Sequence, residues 1–333
     1  MTLAQMLKVL AFYGRFLPSF TQPGHLARRL CWRRFEPALD GQHWVVTGGS
    51  GGLGREMVLA ALRGGATVIA VARDARKLRQ LEADAAAAGL TGTPGASGSG
   101  RLRTEVCDLS SVKDTDALIG RLDARLSGEG RSIDVIMGNV GVLQDALVVT
   151  SEGHEASFVS NLLSHYQLVE GLIGRGRLAR GAAVIEVTSG GAYTVPLATG
   201  MLDITDPSRY SGTAAYTLHK RAQVSLVAHW REAYRGRGIG FYAMHPGWVD
   251  TPGVQRSLPR FRRLLRSLLR DERSGADTAI WLAATRPEQP VGECVWFDRK
   301  PRASHVYAHT RASRDTPDSL AAFLRGQLAG HDG

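Results

Sequence analysis

The chain has 333 residues, 44% hydrophobic and 22% charged, with a formal net charge of +10. That length buries a sizeable core and admits one large domain or two. Aromatic content of 7% and only 13 prolines exclude a wholly disordered or collagen-like chain. Three scattered cysteines (Cys31, Cys107 and Cys294) exclude a disulfide scaffold and fit a reducing, cytoplasmic setting. No uncharged apolar run is long enough for an ordinary membrane span. The basic residues are mostly Arg, with Lys only at positions 8, 77, 113, 220 and 300, a bias that a GC-rich genome produces by itself. The charge is therefore compatible with phosphate cofactors or acidic lipid and establishes neither.

Residues 1–40 form a distinct extension. Leu3–Leu17 is apolar around Lys8 and Arg15, and Arg28, Arg29, Arg33 and Arg34 follow. Three readings stand: peripheral membrane contact, a helix packed on the domain, or a frayed extension. The interrupted apolar run and the lack of a small-residue cleavage site argue against a secretory signal. From residue 42 strands and helices alternate. Strands are predicted at His43–Thr47, Thr67–Ala72, Leu102–Cys107, Ile133–Met137, Ala182–Val187, Ile239–Met244 and Cys294–Phe297. Helices are predicted at Arg55–Arg63, Asp74–Ala88, Ser111–Leu126, Ser151–Ile173 and Ala214–Tyr234, with Asp74 an N-cap. Thr91–Gly100 reads as a glycine-rich surface loop. Short apolar strands between helices indicate a parallel sheet covered on both faces, a doubly wound α/β fold of about seven strands. The reading is one domain over 41–300, with a C-terminal extension over 301–333.

The turn after the first strand is Thr47-Gly48-Gly49-Ser50-Gly51-Gly52-Leu53-Gly54. Glycine lets backbone turn tightly and approach a pyrophosphate, and the helix that follows offers free N–H groups. Gly48, Ser50, Gly52, Leu53 and Gly54 are the candidate phosphate-binding residues. Ala72 stands at the end of the second strand, where a carboxylate would select NAD, and Arg73 follows, suited to a 2′-phosphate. NADP(H) is favoured and NAD(H) stays open.

Tyr216-Thr217-Leu218-His219-Lys220 places Tyr216 and Lys220 on one face of a helix. A nearby ammonium favours a phenolate over the ordinary phenol, so this pair suits proton transfer near neutral pH. Lysine donors also suit a ribose hydroxyl. Ser189, just after the fifth strand, can hydrogen-bond a carbonyl oxygen where charge develops; otherwise it is a turn serine.

The spacing of this glycine turn, then Asp108-Leu109, Gly138-Asn139-Val140-Gly141, Asn161, Ser189, the Tyr216/Lys220 pair and Pro246-Gly247-Trp248-Val249-Asp250-Thr251 resembles the short-chain dehydrogenase/reductase family. The resemblance covers residues 42–300. It implies a Rossmann-type fold and an oxidoreductase. It assigns the catalytic set to Asn161, Ser189, Tyr216 and Lys220, with Asn161 holding a water of a proton relay. It assigns Asp108 and Leu109 to the adenine, Asn139 and Gly141 to the cofactor cleft, and Pro246, Gly247, Val249 and Thr251 to the nicotinamide end. Asp108 also reads as a helix N-cap. Gly138 and Val140 depart from the family pattern, which is expected to loosen support of the neighbouring strand.

Ser189 and Tyr216 lie 27 positions apart, longer than in many members, and the insert Gly190–Thr213 resembles the retinol-dehydrogenase-like branch. Segment 253–273 is the lid implied by the resemblance. Within it Arg260–Arg270 reads as one amphipathic helix, with Phe261, Leu264, Leu265, Leu268 and Leu269 on its apolar face. An apolar lid implies a lipophilic aldehyde, ketone or alcohol as the small-molecule substrate. The rivals for residues 260–270 are a membrane surface and an ordinary half-buried helix. No metal spacing and no nucleic-acid motif occur, and a homo-oligomer is compatible with the sequence. A non-catalytic nucleotide sensor or a membrane-peripheral scaffold is the alternative function.

Overall fold

The computed structural model describes residues 3–91 and 101–330, with side chains from Phe12 onward. Segment 92–100, most of the predicted glycine-rich loop, lies outside the described residues. The helices α1 (Leu3–Phe20) and α2 (Gln22–Arg29) precede β1 (His43–Thr47). Then follow α3 (Gly52–Arg63), β2 (Thr67–Ala72), α4 (Ala75–Ala87), β3 (Arg101–Val106), α5 (Val112–Glu129) and β4 (Ile133–Gly138). Next come α6 (Ala156–Phe158), a π-helical turn (Val159–Leu163) and α7 (Ser164–Gly174), which together make one rod. β5 (Leu178–Val187), α8 (Gly212–Ala233) and β6 (Gly240–Met244) complete the central part. The chain ends with α9 (Pro252–Ser257), α10 (Pro259–Leu265), α11 (Glu272–Thr285), β7 (Cys294–Phe297), β8 (Lys300–Ala303) and α12 (Pro317–Ala329).

One sheet has the order β3-β2-β1-β4-β5-β6-β7-β8. It is parallel through β7, and β8 returns antiparallel through a two-residue turn. The eighth strand was not expected. Both turn residues, Asp298 and Arg299, have positive φ, as a type I′ hairpin requires, and neither is the glycine that signals such a turn. Alternate residues of β1 serve opposite cores. Val45 joins Ile136, Val184 and Phe241 on one face, and Trp44 and Val46 join Val135, Ile185 and Leu282 on the other.

Helix boundaries depart from expectation where caps decide them. Ser111, not Asp108, caps α5, its hydroxyl accepting from Asp114 N. Asp74 caps α4 as expected, accepting from Arg76 N at 2.9 Å. The long helix begins at Ala156 rather than Ser151, because the buried Glu155 carboxylate accepts from the N–H groups of Ser157 and Phe158. The expected lid helix is shorter, ending at Leu265. Its single apolar face is also corrected: Leu265 and Leu269 are buried, whereas Leu264 is 81% exposed.

The two ends of the chain are built into the core. Phe16 and Phe20 of α1 and Leu320 and Leu324 of α12 belong to the same buried cluster. Asp298 organises the closure at the N-terminal end. Its carboxylate binds Arg270 through two bonds of 2.7 and 2.9 Å, and also pairs with Arg28 and His25. Arg270 in turn donates to the carbonyls of Phe20, Ser19 and Pro246. Burial raises the Asp298 carboxyl, but hydrogen bonds from His25 and Arg270 and the Arg charges outweigh it and hold it far below the usual range. No helix among the described residues is long and apolar enough to cross a membrane.

Asp298→Ala leaves Arg270 as an uncompensated buried charge, so urea unfolding at pH 7 should show a loss of about 3–5 kcal/mol. A carboxyl depressed in the folded state stabilises above its unfolded value. The margin over the variant should therefore shrink as pH falls below about 4.

Candidate active site

Strand order reverses between β1 and β4, so their C-terminal loops part and leave a crevice. The glycine turn enters this crevice from β1. Gly48 has φ +64, and a Cβ there would meet Asn139 Nδ2 at 3.0 Å. A Cβ on Gly54 would run into the Gly48 carbonyl, so this glycine lets α3 close onto its own turn. Gly51 faces open space, and Gly52 (φ +55) lies beside Thr251. The N–H groups opening α3 have no helical partner by construction. A pyrophosphate therefore fits this cradle. Ser50 sits at its lip, half-buried, and Leu53 turns inward with Val249 against Gly275.

The departures after β4 do not loosen it. Thr47 donates its hydroxyl to Met137 O at 3.0 Å and accepts from the N–H groups of Asn139 and Val140. Asn139 Nδ2 donates to Thr47 O. At Gly138 the space of a Cβ is filled by the Glu186 carboxylate.

At the end that the resemblance assigns to the adenine, Arg73 is exposed just past β2. Among the described residues it forms no ion pair. Asp108 Oδ1 accepts from Ser110 N and Oγ, and the Leu109 side chain is buried in the core. At the other end, Gly247 (φ +82) lies where a Cβ would meet Arg270 and the Phe20 carbonyl. Pro246 offers its carbonyl to Arg270. Thr251 caps α9 through Val254 N.

The catalytic candidates converge between β5 and α8. Ser189, two residues past β5, accepts from Gly191 N at 3.4 Å and stands beside the Tyr216 hydroxyl. Burial raises the Tyr216 phenol, and the neighbouring Ser189 hydroxyl opposes that rise. Lys220 lies one turn further along α8, buried, with Nζ 5.7 Å from the Tyr216 ring centre. It donates to Val187 O at 2.8 Å and Gln223 Oε1 at 3.1 Å. Burial lowers the ammonium to about 8, with the Glu186 charge opposing. Gly141 keeps room for this side chain, since a Cβ there would meet Nζ at 2.9 Å.

Asn161 stands in the π-helical turn, fully buried. Its side chain exchanges two bonds with the Val142 backbone, at 2.7 and 2.9 Å, and so anchors the loop after β4. Its carbonyl accepts from Gln223 Nε2 at 2.8 Å. His219 donates Nε2–H to Leu202 O and faces Asn161 with Nδ1; burial lowers it to about 4, so it is neutral. The insert after Ser189 is strapped down by Asp203, which accepts from Glu155 N and pairs with His154. Phe12, Tyr13, Trp248 and Phe261 line up as an aromatic wall between α1 and α10.

Sequence reading missed Gln223, Glu186 and His165 around Lys220. A signal existed for Glu186 alone: a carboxylate inside an apolar strand is rarely buried without a partner.

The short chain dehydrogenase family profile matches residues 42–202. Dehydrogenase/reductase SDR family member 12 of Bos taurus is 31% identical, covering 94% of this chain and 95% of that protein. Human retinol dehydrogenase 14 is 27% identical over 80% of this chain and 82% of its own length. Among solved structures, L-sorbose reductase from Gluconobacter frateurii, complexed with NADPH and L-sorbose, shares the fold. It has a TM-score of 0.58 and 17% identity, with 76% of this chain and 93% of that chain covered. A near-complete relative above 30% identity and a matching family profile, on a sheet that reverses at its glycine turn, place the chain: it belongs to the short-chain dehydrogenase/reductase family of oxidoreductases.

Proposed function

We propose that the chain is an NADP(H)-dependent carbonyl reductase or alcohol dehydrogenase for lipophilic aldehydes, ketones or alcohols. The observation that carries this is the meeting of two hydroxyls and one buried ammonium at the crevice that the glycine turn opens. The Ser189 and Tyr216 hydroxyls stand side by side, and Lys220 stands behind the phenol.

The cradle at Gly48–Gly54 and the N-terminus of α3 would hold the pyrophosphate. Arg73, exposed and without an ion pair among the described residues, is free to meet a 2′-phosphate. Asp74 is engaged as a helix cap and does not compete. The NADPH of the sorbose reductase is in keeping with this choice. When bound, the nicotinamide supplies or accepts the hydride.

The chain's own groups manage the proton. Ser189 donates to the substrate carbonyl oxygen and holds it at Tyr216. Tyr216 gives its proton to that oxygen in reduction and takes it back in oxidation. Two of the three Lys220 donors are engaged by Val187 and Gln223, which leaves one for a ribose hydroxyl. Its charge favours the phenolate form of Tyr216. Asn161 fixes the loop after β4 and is a positioning residue here. The aromatic wall of Tyr13, Trp248 and Phe261 supports a lipophilic substrate.

Titration followed by nicotinamide fluorescence should show NADPH binding more tightly than NADH. Arg73→Ala should weaken NADPH by about 10–100-fold, the worth of a charge-assisted hydrogen bond, and leave NADH nearly unchanged. Equal effects on both cofactors would remove Arg73 from the phosphate site. With a panel of aromatic and long-chain aldehydes and absorbance at 340 nm, Tyr216→Phe should lower kcat by about 10²–10⁴ while NADPH still binds. Undiminished turnover would end the catalytic assignment. The Lys220 charge is present below its folded value and lost above it, so kcat/KM for reduction should fall as pH rises through about 8.

A further inference from the structure

A carboxylate and an imidazole are buried beneath Lys220, and the chemistry described above does not use them. Glu186 is fully buried on β5, and His165 is 3% exposed on α7. His165 Nδ1 lies 2.6 Å from Glu186 Oε2. Gln223 of α8 stands between this pair and the lysine. Its Oε1 accepts from Lys220 Nζ at 3.1 Å. Its Nε2 donates to Asn161 O at 2.8 Å and reaches Glu186 Oε2 at 3.3 Å. The amide orientation follows from this: the oxygen must face an ammonium, so both amide protons face acceptors.

The room for this carboxylate is itself built in. A Cβ at Gly138 on the neighbouring β4 would collide with the Glu186 carboxylate. Glu186 Oε1 and His165 Nε2 have no partner among the described residues. Burying a carboxylate is costly unless it compensates another charge. Lys220, one amide away, is the charge it faces.

We propose that Glu186, backed by His165 and bridged by Gln223, is the buried counter-ion of the Lys220 ammonium. It keeps the buried lysine charged. This deepens the reading above and rests on it for the place of Lys220 beside the nucleotide. Glu186 and His165 are positioning residues, acting on substrate only through Lys220. The groups facing Lys220 are Tyr216 and Gln223 from α8, Glu186 and the Val187 carbonyl from β5, and Gly141 after β4. His219 adds a neutral ring from the next position, with Glu155 beyond it at 4.0 Å. The Glu186 charge is the one that favours the ammonium against burial.

The test follows the Lys220 ammonium directly by NMR in protein labelled with ¹⁵N-lysine, its signal assigned by Lys220→Arg among five lysines. In folded Glu186→Gln the titration midpoint should fall by about one pH unit relative to wild type. Should that variant not fold, Glu186→Leu with His165→Phe removes the pair while keeping apolar volume, and the same fall is expected. An unchanged midpoint in either folded variant overturns the proposal. NADPH binding is measured alongside. Loss of binding in the wild type would strike the proposed function, whereas the ammonium titration would still decide the counter-ion.

Discussion

A parallel sheet buried on both faces satisfies its backbone internally and leaves unpaired groups only at strand ends. Where strand order reverses, between β1 and β4, two such ends part and no helix can cover the gap. The functional architecture depends on this opening. The glycine turn, the Asn139 loop and the end of β5 all reach it because they follow strands that lie side by side. Thr47 is the hinge pin of the opening, since one hydroxyl ties the ends of β1 and β4 together.

Charge closes what topology leaves open. The Asp298 carboxylate sits in a turn between β7 and β8, yet it gathers Arg270, Arg28 and His25 from segments far apart in sequence. Through Arg270 it holds the carbonyls of Ser19, Phe20 and Pro246. The result couples the N-terminal helices, the loop after β6 and the end of the lid. An apolar, arginine-flanked N-terminal segment thus has a use inside the protein: Phe16 and Phe20 belong to the main core.

The candidate site combines two electrostatic environments. Around the glycine turn, glycines and a helix N-terminus favour negative charge. On the inner side, Lys220 is kept from water and set above a carboxylate, an amide and an imidazole. Such a buried polar chain holds only if its members are mutually oriented. Gly138 and Glu186, neighbours on paired strands, show this in volume terms, because the missing side chain of one is the space of the other.

Much of this was legible in the order of residues. Apolar strands between helices declared the doubly wound sheet, since both faces must be covered. Gly48, Gly52 and Gly54 declared the turn because only glycine fits there, and Tyr216 with Lys220 declared a shared helical face through their spacing. Local rules also placed the Asp74 cap. Other features answer to contacts between distant segments, which no local pattern records. The turn of Asp298 and Arg299 carries no glycine and is held by Arg270 instead. Leu264 and Leu265 look alike in sequence, and packing alone buries one and exposes the other. Gln223 lies 62 positions from Asn161 and 37 from Glu186, so its bridge between Lys220 and Glu186 exists only once β5, the π-helical turn and α8 are packed. Periodicity and glycine stereochemistry act along the chain and can be read there, whereas charge pairing and volume exchange act across space and are settled by the tertiary fold.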